Sequence, residues 1–97
     1  MKAIFISYNQ TLTERVMFIF EKHNIKGYTK WGTVQGSGSN GGVPHLGSHA
    51  WPELNAAIIT VVEDDKAEAL LLSLRKLNEK NTEQGLRAFV WTAESGV

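Results

Sequence analysis

Two histidines, His45 and His49, stand four residues apart in a glycine-rich stretch of this 97-residue chain, and neutral imidazole is a good ligand for copper, zinc or nickel. On a helix that spacing would align them, but Pro44, Gly47 and Pro52 oppose a regular helix there. A third ligand for a divalent metal would have to come from Glu53 or from another subunit. The chain has no cysteine, so a thiolate zinc site is excluded, and two polar loop residues without a metal are the plainer alternative. Trp51 followed by Pro52 offers a different chemistry. A tryptophan in a loop can anchor a partner protein or fold back on its own chain, and the proline restricts the residue before it. Gly36 and Gly38 could let backbone amides approach phosphate oxygens closely, or could serve only as a hinge. Catalysis has little to work with: there is no nucleophile elbow, no HExxH and no Walker lysine. Asp64 and Asp65 are better read as helix caps than as partners of Ser7. The expectation is a protein that is not an enzyme.

The elements that must hold these residues follow from periodicity. Residues 2–8 read as a strand rich in Ile and Phe. Thr11 stands three residues before Glu14, the spacing of a capping box, and Leu12, Val16, Ile19 and Phe20 then make one apolar helical face. Asn24 and Gly27 supply the stop. A second strand is expected over 28–35 and a third over 56–62. Asp65 and Glu68 repeat the cap spacing before a helix with Ala67, Leu70, Leu71, Leu74 and Leu77 on one side, reaching about Asn81. A fourth strand covers 86–92. Between strands two and three lie twenty residues, 36–55, with five glycines, three serines and the single charge of Glu53. A loop that long is usually functional or disordered.

This order, strand, helix, strand, loop, strand, helix, strand, is the ferredoxin-like βαββαβ pattern of the α+β class, an antiparallel sheet with both helices on one face. One domain, 1–97, accounts for the length. Two helices cover only one face, so if the other meets water the strands should alternate apolar with polar residues. They do not: Ile4 to Ile6, Ala56 to Ile59 and Ala88 to Trp91 are consecutive apolar runs. The second face therefore wants another subunit. Ten Lys and Arg balance ten Asp and Glu and are scattered, which removes the basic stripe of a nucleic-acid binder and any strong pull toward an anionic membrane. The apolar run from Ala3 to Ile6 is too short for a signal-peptide core, and no segment could span a bilayer, so no membrane insertion is expected and the cytoplasm is the default location.

The opening strand, HNIKGYT, GTVQGSGSNGG, IITVVEDDKAEALLLSL and TEQGLRAFV together resemble the P-II signal-transduction proteins over almost the whole chain. The resemblance implies a homotrimer with its sheets facing inward, ATP or ADP bound in clefts between subunits, and a long T-loop that docks on transporters and enzymes. It assigns Thr29 to the adenine side and Gly36, Gly38 and Asn40 to the base of the T-loop, where the family usually has glutamine at the position of Asn40. From the neighbouring subunit it implies Gly85 and Arg87, with the guanidinium as phosphate grip. The family's loop lysine has no counterpart. The short tail and altered loop are similar to a P-II-like subgroup found beside heavy-metal efflux systems of the resistance-nodulation-division type, which makes a membrane transport protein or efflux pump the implied partner. The CutA group shares the trimeric architecture, and a CutA-like metal-binding protein using His45 and His49 is the alternative.

Overall fold

The computed structural model describes residues 1–37, 44–48, 51–82 and 85–97, with only the backbone described at 37, 44–48 and 51–53. In chain order the elements are β1 (Lys2–Asn9), α1 (Thr13–Lys22), β2 (Thr29–Val34), β3 (Gly36–Ser37), β4 (Pro44–Ser48), β5 (Trp51–Val62), α2 (Asp64–Lys80) and β6 (Arg87–Thr92). The four long strands form an antiparallel sheet in the order β2, β5, β1, β6. β1 and β2 are thus separated by β5, and β5 and β6 by β1, which is the ferredoxin-like split βαβ arrangement expected from the element order.

Alternation along β1 sorts the sheet into two faces. Ile4, Ile6 and Tyr8 point to the helices and are fully buried with Ile58 of β5, Val16 and Phe20 of α1 and Leu70 and Leu74 of α2. The expected apolar stripes form the helical half of this core, with Leu71 and Leu77 only partly covered. Thr60 also lies on this face, opposite Ile4, and its hydroxyl donates to the Gly27 carbonyl at 2.6 Å. That bond satisfies a buried hydroxyl and fixes the entry into β2.

Both helix starts differ from the capping expected. Asn9, not Thr11, is the cap: its side-chain oxygen accepts from the Thr11 backbone amide at 2.9 Å and opens a 3-10 turn, Gln10–Leu12, before α1 begins at Thr13. Asparagine competes for nearby backbone donors more effectively than a residue already inside the turn. At α2 the cap position is Glu63, which makes no side-chain capping bond, and the Asp65 carboxylate accepts from the adjacent Lys66 amide at 3.0 Å. Asp64 lies in the first turn of α2, 3.3 Å from the N-terminal amine. The acids still oppose the positive helix end.

The helix stops follow the sequence. Asn24 adopts the left-handed conformation (φ 56°), which asparagine tolerates, while the Ile25 amide donates back to the Phe20 carbonyl at 2.8 Å. His23 closes α1, and its Nε2 lies 2.8 Å from the Ser73 hydroxyl of α2. At the other end of the pair, Asn81 donates to the Leu77 carbonyl and accepts from Arg15, which ties the end of α2 to α1.

The described parts of 36–55 are not structureless. β3 pairs with β4 (Gly36 with His45), β4 pairs with β5 (Leu46 with Leu54), and β5 is 12 residues long because it begins at Trp51 instead of Ala56. β1 accompanies β5 only as far as Asn55, so the first residues of β5 run past the sheet as one side of an arm. The composition concealed this, since glycine and proline are poor strand formers and register here comes from the neighbouring strands.

Candidate functional site

The sheet face away from the helices is apolar and uncovered. Direct cross-strand partners share a face, so Val61, Ala3 and Trp91 form one row, Thr29, Ile59, Phe5 and Phe89 a second, and Trp31, Ala57, Ser7 and Arg87 a third. Phe89 is 61% exposed, Trp91 49% and Trp31 47%. Large aromatics gathered on one flat surface are rare on a chain that works alone.

The residues implied for ligand binding lie at the two opposite edges of this sheet. At the β2 edge, Thr29 opens the strand, and Gly36 follows it at the root of the arm. At the β6 edge, Gly85 takes a left-handed φ of 62°, which suits glycine because it lacks Cβ, and turns the chain into Arg87. Leu86 between them is buried and holds that turn to the core. The exposed guanidinium of Arg87 donates through Nη1 to the Leu86 carbonyl at 3.2 Å. Two strands separate β2 from β6, so Thr29 and Arg87 stand about 14 Å or more apart across the sheet. One copy of the chain does not bring them together.

Gly36 lies beside Asn55, a residue that composition and spacing do not single out. A Cβ built on Gly36 would lie 2.5 Å from the Asn55 amide nitrogen. The available signal was an asparagine inside a strand, where its propensity is low. Gly38, Asn40 and His49 lie outside the described residues, as do the side chains of His45, Trp51 and Pro52. Among the described residues no group of three or more His, Cys, Asp or Glu could hold a metal ion. Ser7 and Asp64 sit at opposite ends of the sheet, because Ser7 pairs with Ala57 while Lys2 pairs with Val62, next to the start of α2. A groove of about 550 Å³ between α1 and α2, lined by Phe18, Ile19 and Leu77 with Arg15 and Lys80, belongs to neither edge.

Burial raises the pKa of Tyr8 above its ordinary value of 10.0 by desolvation, with Thr13 pulling the other way and the Tyr28 phenol adding to the rise. Among the described residues its hydroxyl finds no hydrogen-bond partner within bonding geometry, and the nearby Thr13 hydroxyl donates to the Gln10 carbonyl at 2.7 Å. Tyr8 is therefore a core phenol, distant in chemistry from either edge. No helix among the described residues is long and apolar enough to cross a membrane.

These features define a ferredoxin-like module with one helix-covered face, one bare apolar face and a loop arm rooted at an edge. A family model described as nitrogen regulatory protein P-II matches residues 1–95, and the chain belongs to that family of regulatory signalling proteins. Solved structures share the fold. CPII, a nitrogen regulatory PII-like protein from Thiomonas intermedia K12, solved bound to ADP, AMP and bicarbonate, superposes with a TM-score of 0.75 at 23% identity, covering 93% of this chain and 82% of that one. A protein of Thermus thermophilus described as PII-like gives 0.68 at 26% identity, covering 93% and 83%. The apo form of CPII gives 0.65 at 17% identity, covering 93% and 87%. No curated protein matches the sequence.

Proposed function

We propose that the chain works as a cytoplasmic, non-enzymatic homotrimer in which the β2 edge of one copy meets the β6 edge of the next, and that each such cleft takes an adenine nucleotide. Thr29 and the Gly36 root come from one side, Gly85 and Arg87 from the other. The observation that carries this reading is the division of these residues between opposite edges of a sheet whose bare face is lined by Phe5, Phe89, Trp91 and Trp31. A closed ring of three copies would cover that face and bring each edge to its counterpart. ADP and AMP are the first ligands to try, since CPII was solved with both. The arm of residues 36–55 is the docking element, and its partner is a membrane transport protein of the efflux-pump kind, a reading that rests on the resemblance of the loop alone. The nucleotide acts on docking only insofar as it binds the two states of the arm differently.

Calorimetry with ADP and AMP tests the cleft. Arg87→Ala should weaken binding by about tenfold to a hundredfold, the usual worth of a charge-assisted bond. Thr29→Asp should weaken it from the other edge. Mixing and reassembling the two variants should restore about a quarter of the clefts, because in a head-to-tail ring some interfaces then receive both intact edges. Absence of heat from either nucleotide would remove the ligand from the proposal, and failure of the mixture to recover any binding would place both residues outside a shared cleft.

A further inference from the structure

We infer that Asn55 is a positioning residue, a latch whose side-chain amide occupies the space over Gly36 and so fixes where the arm leaves the sheet. Asn55 is where the sheet hands over to the arm: it is the last β5 residue paired with β1, opposite Asn9, and it also pairs with Val34 at the end of β2. Gly36 begins β3 two residues later. A Cβ there would lie 2.5 Å from the Asn55 nitrogen and 3.6 Å from its Cγ, so any larger residue displaces the amide. Backbone geometry does not demand glycine at this point, because among the described glycines only Gly85 has a left-handed φ. Gly27 and Gly32 have nothing within 4 Å of such a Cβ. Glycine at 36 thus leaves room for this amide, and an added methyl must push the end of the Asn55 side chain aside.

The floor under the latch is fixed. Asn9, facing the same side as Asn55, is buried, and its carboxamide oxygen accepts from both the amide and the hydroxyl of Thr11, at 2.9 and 2.8 Å. By alternation this side carries Ser7, Phe5 and Ala57, so the latch sits at the margin of the bare apolar face. It links the direction of the arm to the surface through which copies associate, and it needs no ligand to do so.

Amide hydrogen exchange on the full, ligand-free chain tests this with Asn55→Ala, Gly36→Ala, the double variant and Gly32→Ala. Each of the first two should speed exchange at Val34, Gln35 and Gly36 on the order of tenfold, as expected when a local contact is lost or overpacked. The double variant should be no faster than Asn55→Ala alone, since the added methyl then meets no amide. Gly32→Ala should leave these amides unchanged. Should Gly36→Ala fold poorly, Asn55→Ala still decides. Exchange at the original rate in Asn55→Ala, or a full Gly36→Ala effect persisting without Asn55, would overturn the latch.

Discussion

The two faces of the sheet are equally greasy in sequence and opposite in fate. On the helix side, Ile4, Ile6 and Ile58 are fully buried within one copy of the chain. On the other side, Phe89, Trp91 and Val61 stand about half exposed or more. Burial of apolar area is the main favourable term in folding, so the first face stabilises the single chain and the second can contribute only on association. Apolar composition is therefore divided between a face covered within one chain and a face left bare, and only topology tells which residue belongs to which.

The largest effect should come from the covered face. Leu70→Ala, at a position with no exposure, should cost about 2–5 kcal/mol in urea unfolding through lost transfer energy and a residual cavity. Phe89→Asp is the matching change on the bare face. It should break the assembly into single chains in sedimentation while leaving their unfolding within about 1 kcal/mol of the parent monomer. If it unfolds the chain as Leu70→Ala does, the contrast between the faces collapses.

Tyr8→Phe sharpens the covered side. Removing a buried hydroxyl without a partner should stabilise the fold by about 1 kcal/mol at neutral pH. Because burial raises the folded pKa above 10.0, the folded chain holds the phenol proton more tightly than the unfolded one. The associated stability is complete below pH 10 and is lost as pH rises through the folded pKa, so the parent should weaken in alkali more than Tyr8→Phe. The smallest effect belongs to Leu72→Gln, an exposed position on α2, which should stay within about 0.5 kcal/mol in the same unfolding assay and leave the assembled mass unchanged.

Much of the fold was legible because periodicity is a local signal. The stripes Val16, Ile19, Phe20 and Ala67, Leu70, Leu74 named the helix faces, and the unbroken runs of β1, β5 and β6 named a sheet with apolar residues on both sides. Capping was less legible: several polar residues cluster at each helix start, and Asn9 took the bond assigned to Thr11. The strands of the arm escaped notice because β3 and β4 are held by pairing with the neighbouring strands and not by the propensity of their glycine and proline residues. Of the residues proposed for the site, Gly85 and Arg87 are implied by resemblance alone, whereas Asn55 has no one-dimensional signature, since only the fold sets it beside Gly36.

Sedimentation equilibrium of the full chain at micromolar concentration decides whether the bare face is covered by other copies. A homotrimer gives a species of three times the 10.8 kDa chain mass. A stable species of one chain mass, with Phe89 and Trp91 left in water, would contradict it.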